Sequence, residues 1–210
     1  ADDLQWADRE VAEVATHLSA PRLLRGAKAS ERELRRLEQE GVLGRADLLH
    51  IASHAHASEG WSQPAWLALA EAFRAPRPGE PASPAGDGFL STSEVGKWDL
   101  RARLVTLASC QSGGALRPRT EDVVGLGNAF LDAGARSVVV SLWRVDDAAT
   151  ERLMGYFYDA LFEPRAVPLS IAEALRVARA RLREYRAPDG RRPFAHPAFW
   201  GGFVLLGDPG

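Results

Sequence analysis

The sequence predicts an α/β fold, a three-layer sandwich around a mostly parallel central sheet. Three observations predict it. Short runs with no polar face recur at LLHIAS (48–53), LVTLAS (104–109), SVVVSLW (137–143) and FVLLG (203–207), the pattern of strands covered on both sides. Stretches of helical period separate them, and strands alternating with helices make βαβ units. The composition, 46% hydrophobic and 26% charged, is that of an ordinary globule.

Taken in order, residues 1–40 have helical character, with Trp6, Glu10, Val11, Val14 and Leu18 on one stripe. A second helix starts at Ser30, where S-E-R-E has the form of a capping box between Ser30 and Glu33. Strand 48–53 follows. Residues 54–100 are the least regular, with prolines at 76, 78, 81 and 84, so a long loop is expected there. Inside it WLALA (66–70) is a short strand or a turn of helix, and the Ser/Thr cluster at 91–93 introduces a short helix. After strand 104–109 comes a turn (110–120), then a helix over 121–134 ending at Gly134, a suitable C-cap. Strand 137–143, helices 147–163 and 168–186 and strand 203–207 complete the chain. Gly125-Leu-Gly127 falls inside a helical pattern, outside the strand-to-helix turn that a dinucleotide fingerprint requires.

At 210 residues this is one domain, 1–210. Lys+Arg 26 against Asp+Glu 28 gives a net charge of −2, which argues against a polybasic nucleic-acid or membrane-surface binder. A single cysteine excludes an intrachain disulfide and points to a reducing, cytoplasmic compartment. The polar start ADDLQWADRE is not a secretory signal, and a first residue other than Met points to a piece, expected to be the C-terminal part, of a longer protein. No apolar run reaches the roughly 18 residues of a membrane span.

In sheets of this kind functional residues gather at the carboxyl ends of strands. The first end carries His54, the second Cys110, the third Trp143, Asp146 and Asp147. A lone cysteine at a strand end is ordinarily a small buried hydrophobe, and a lone histidine a structural one. Their placement at neighbouring strand ends, before Ser112-Gly113-Gly114, is what a cysteine nucleophile requires: an imidazole to handle protons and turn amides to hold an oxyanion. A metal cluster of His50, His54 and His56 on one strand face, with Cys110 adding a ligand, is the weaker alternative, because no Asp follows close behind. No cofactor motif is present.

These segments resemble a known family. LLHIASHAHAS, LVTLASCQSGG, GLGNAFLDAGARSVVVSLWRVDDAAT, LMGYFYDALF, SIAEALRVARARLRE and HPAFWGGFVLLGDPG are similar, in order, to CHAT domains. These are caspase-haemoglobinase-like domains of the clan that includes caspases, separases, gingipains and legumains. The resemblance implies that His54 is the catalytic histidine, Cys110 the nucleophile, and the N–H groups of Ala55 and Cys110 the oxyanion donors. The family usually has Gly where Ala55 stands, and its common S-A-C-x-T-G reads A-S-C-Q-S-G here, with Ser109 beside the nucleophile. Likeness to separases in L-W-x-V-x-D makes Asp146, Asp147 and Glu151, with Ser109, candidates for binding substrate; capping of helix 147–163 is the other reading of the aspartates.

The resemblance further implies a cysteine endopeptidase acting on a protein substrate, including gasdermin-like targets. It places the domain in a bacterial defence effector whose parent chain carries TPR repeats or another regulatory region. A non-catalytic interaction module is the rival, and Ala55 favours it. Arg176, Arg179, Arg183 and Arg186 read as a solvated helix face or a docking stripe, and His196 and Trp200 as packing for the last strand.

Overall fold

A computed structural model describes residues 5–56, 66–70, 88–108 and 120–210. The main sheet has the order β1 (Leu48–Ile51), β5 (Leu104–Leu107), β6 (Ser137–Ser141) and β7 (Phe203–Gly207). The first three are parallel, and β7 runs antiparallel to β6, pairing Ser137 with Gly207 and Ser141 with Phe203. A second, antiparallel sheet has the order β2 (His54–His56), β3 (Trp66–Ala68) and β4 (Phe89–Ser91).

Six helices lie among the described residues: α1 (Gln5–Thr16), α2 (Glu31–Gln39), α3 (Thr92–Val95), α4 (Thr120–Asp132), α5 (Asp147–Phe162) and α6 (Ile171–Glu184). The sheet sorts its side chains by the two-residue period of strands. Val105, Leu107, Val138 and Val140 join one apolar cluster with α2, α3, α4, β3 and β4. Leu104, Val139 and Phe203 join the other with α1, α5 and α6. Strands β5 and β6 are buried along their whole length, which is why their sequences are apolar in every position but Thr106, Ser137 and Ser141.

The expected single strand 48–53 is interrupted. β1 stops at Ile51, and the Ser53 hydroxyl donates to the Ala68 carbonyl, turning the chain into β2 of the other sheet. His50 and His54 therefore occupy different strands in different sheets, and the single-strand histidine face does not form. The 66–70 segment contributes the strand β3, and the expected helical stretch 1–40 is broken between Thr16 and Glu31 by extended chain and a 3-10 turn at Gly26–Lys28.

Gly134, at φ +108, ends the α4 region as expected; a side chain there would collide with the Leu100 carbonyl. Gly127 lies inside α4, where a Cβ would meet Leu206 Cδ1 at 2.6 Å, so it serves close helix-to-sheet packing. No described helix is long and apolar enough to cross a membrane.

Candidate active site

Strands β1 and β5 pair in register from Leu48↔Leu104 to Ile51↔Leu107, and the Ala108 N–H extends the ladder by donating to Ile51 O at 3.0 Å. Parallel neighbours lie about 4.8 Å apart, so the two chains leave the sheet side by side at its carboxyl edge. One leads within three residues to His54, which opens β2 paired with Ala68, with Ala55 paired to Leu67. The other leads two residues past Ala108 to Cys110. Ser109 and Cys110 lie outside the described residues.

The exit from β6 is the third member of this edge. Ser141 Oγ donates to the Trp143 carbonyl at 2.7 Å, and the Trp143 indole N–H donates to Ala198 O at 3.0 Å. The indole lies against Gly201 and Gly202; a Cβ on Gly202 would sit 2.9 Å from Trp143 Cε2. One ring face is thus seated on glycine backbone, and 41% of the residue stays exposed.

Asp146 is the N-cap of α5, its Oδ1 accepting the Ala149 N–H at 3.0 Å. Asp147 opens the helix, half-exposed. Burial pushes the Glu151 carboxyl above the usual glutamate range; Arg9 and Arg152 pull it down and Glu10 adds to the rise. These charges place Glu151 towards α1 as well as towards the head of α5.

A buried polar chain beneath this edge is the part that sequence reasoning missed. Glu10 Oε1 lies 2.8 Å from His50 Nε2, His50 Nδ1 lies 3.0 Å from the Tyr158 hydroxyl, and that hydroxyl lies 2.9 Å from Thr106 Oγ1. Glu10 is 4% exposed, and Thr106 and Tyr158 are fully buried. Burial drives the Glu10 carboxyl above its usual range, with the His50 hydrogen bond and charge opposing; burial likewise raises the Tyr158 phenol. The available signal was a carboxylate on the inward stripe of the first helix, a position that demands a partner. Both ring nitrogens of His50 are engaged here, which gives it a structural role. Among the described residues no three His, Cys, Asp or Glu side chains converge as metal ligands.

The arginine stripe is mixed. Arg179 is half-buried and donates to the Phe203 carbonyl, whereas Arg176, Arg183 and Arg186 are exposed. His196 Nδ1 accepts the Ala198 N–H at 3.2 Å and caps the 3-10 turn Pro197–Phe199, and Trp200 packs against the cluster of α5 and α6.

Residues 1–208 match a family model described as CHAT domain. Tetratricopeptide repeat protein 28 of Homo sapiens and its counterpart in Mus musculus are each 32% identical over 119 residues. The match covers 57% of this chain and 4% of either relative, so the chain spans a small fraction of their length. CHAT domains belong to the caspase-like peptidase clan. With a mostly parallel central sheet and a family match running from the first helix to the last strand, the chain belongs to the CHAT domain family.

Proposed function

We propose that this domain is a caspase-like three-layer sandwich working as a cysteine endopeptidase through Cys110 and His54. The observation that carries the reading is the adjacency of the carboxyl ends of β1 and β5, one leading to His54 and the other to the chain's sole cysteine. The Cys110 thiolate attacks the scissile carbonyl carbon, the N–H groups of Ala55 and Cys110 hold the oxyanion, and the C–N bond breaks as His54 protonates the departing amine. Water then cleaves the thioester. By the family resemblance Ser109, Asp146, Asp147 and Glu151 receive the substrate in this reading, the acids favouring a basic residue before the scissile bond, although Glu151 also interacts with Arg9 and Glu10 of α1. The Asp146 carboxylate also holds the helix cap.

The substrate is a protein, with gasdermin-like pore formers the class the family suggests, in a bacterial cytoplasmic defence setting. A TPR-bearing or other regulatory region of the parent chain controls the domain; the repeat protein named among its relatives supports such a parent. The test is cleavage of a proteome-derived peptide library by wild type, Cys110→Ala and His54→Ala. Each substitution is expected to remove at least about 10³-fold of the activity, and cleavage retained by either variant rejects the dyad. A library profile without preference for Arg or Lys rejects the acidic pocket alone.

Ala55 favours a second reading, a non-catalytic interaction module, because its methyl stands where the family usually has Gly. Iodoacetamide separates the two. Fast, pH-dependent labelling of Cys110 marks an activated thiolate, and labelling at the rate of the unfolded chain supports the module.

A further inference from the structure

We infer that α1 is a clasp that positions the two strands leading to His54 and Cys110, acting through the buried chain Glu10–His50–Tyr158–Thr106. The inference rests on the peptidase reading for its consequence, and on the hydrogen bonds alone for its mechanism.

His50 and Thr106 face each other as a register pair across β1 and β5. Each stands four residues before a proposed catalytic residue, His50 before His54 and Thr106 before Cys110. The Tyr158 hydroxyl, from α5, bridges that rung at 3.0 and 2.9 Å, and Glu10, from α1, holds the far side of the same imidazole at 2.8 Å. With Nε2–H donating to the Glu10 carboxylate, Nδ1 accepts from Tyr158, whose oxygen accepts from Thr106. Both ring nitrogens of His50, the Tyr158 and Thr106 hydroxyls and Glu10 Oε1 are then paired. Directional bonds in a buried setting fix position more tightly than apolar contact, because any slip leaves a buried group unpaired.

Val14 is the one apolar residue of α1 buried in the core with α5, and the rest of the α1–α5 seam among the described residues is largely polar. Glu13 of α1 sits over Gly155, where a Cβ would meet its Oε1 at 2.5 Å, and His17 lies 3.6 Å from Asp159 and stacks on Phe162. Arg9 on α1, Asp147, Glu151 and Arg152 on α5, Arg181 on α6 and Arg103, which acts on Tyr158, are further charged groups near the seam and the chain. Such a seam gives α1 limited apolar adhesion, so Glu10 carries much of the link to β1. Glu10, His50 and Tyr158 are positioning residues in this account.

The test uses the 210-residue chain and two readouts, backbone amide exchange and iodoacetamide labelling of Cys110. Glu10→Ala is expected to speed exchange at least tenfold in residues 5–16 and 48–56, with α4 and β7 unchanged, and to slow Cys110 labelling at least fivefold. Glu10→Gln, which keeps a hydrogen-bond partner for His50, is expected to stay within about twofold of wild type. Exchange in 48–56 that does not change in Glu10→Ala overturns the clasp. Wild-type Cys110 labelling at the unfolded-chain rate rejects the peptidase reading alone, since exchange still decides the clasp. If Glu10→Ala does not fold, native-state exchange of wild type in sub-denaturing urea decides: α1 and β1 opening as one unit supports the clasp, and α1 opening while β1 stays closed overturns it.

Discussion

Trp143 keeps one face on Gly201 and Gly202 and its N–H on the Ala198 carbonyl, so its position depends on two residues with no side chain to offer. Gly202→Ala puts a methyl within 3.1 Å of three indole atoms. The ring must lift, and a loss of about 1–3 kcal/mol is expected in urea denaturation; an unchanged midpoint refutes the seating. Tyr158→Phe removes one oxygen and strands two buried partners, His50 Nδ1 and Thr106 Oγ1. The expected cost is also about 1–3 kcal/mol by the same measurement. At this scale a residue's type was readable and its partners were not. Glu10 and Tyr158 are 148 positions apart in a chain where both contact His50, and no local pattern links them.

Among the elements, helix ends were the most legible, because capping is a local exchange of hydrogen bonds. Ser30 accepts the Glu33 N–H at 3.1 Å as S-E-R-E implies, but the Glu33 carboxylate turns to Arg36 instead of closing the box. Closed boxes stand at α3, between Ser91 and Glu94, and at α6, where Ser170 accepts from Glu173 N at 3.2 Å and the Glu173 carboxylate accepts from Ser170 N at 3.0 Å. Ser170→Ala should cost about 1 kcal/mol, read by thermal unfolding; no loss of stability would mean that the cap is replaced by water. Strands β5 and β6 were legible because both faces are buried. The break between Ile51 and His54 was not, since LLHIASHAH is equally compatible with one strand. The break arises where β1 runs out of its partner and β2 finds β3. The direction of β7 was illegible for a related reason: an apolar run reads alike in either orientation.

At the scale of the whole molecule, the two apolar clusters share one sheet through alternate residues of β5, β6 and β7. Neither can lose its packing without exposing the backing of the other. Thermal unfolding followed by far-UV circular dichroism and by tryptophan fluorescence is therefore expected to give coincident transitions; separated midpoints would show that the clusters melt independently.

The acids between α1 and α5 add a pH dependence. Burial raises Glu10, Glu13 and Glu151, each helped by neighbouring carboxylates, with His50 opposing the rise at Glu10. An acid raised on folding binds its proton more tightly in the native state. Its stabilising contribution is therefore complete below the ordinary glutamate range and is lost as pH rises through the raised value. Glu173 and Asp208, lowered by backbone hydrogen bonds, act in the opposite sense and lose their contribution as pH falls. The melting temperature should thus decline on going from about pH 5 to about pH 8, and Glu10→Gln should lessen the decline. An equal slope in both proteins would remove Glu10 from the account.

The linear order of residues already specified an α/β fold, the two interior strands, the glycine that ends the α4 region and the motifs that mark the family. These depend on burial and on hydrogen bonds between near neighbours, which composition and period express directly. Folding in three dimensions was needed to set His50 opposite Thr106, to bring Glu10 and Tyr158 to that rung, to divide the histidines between two sheets and to reverse β7. Each of these is a pairing between segments far apart in the chain, which no local period or composition expresses: strand pairing sets the sheets and the direction of β7, and buried hydrogen bonds join the Glu10–His50–Tyr158–Thr106 chain.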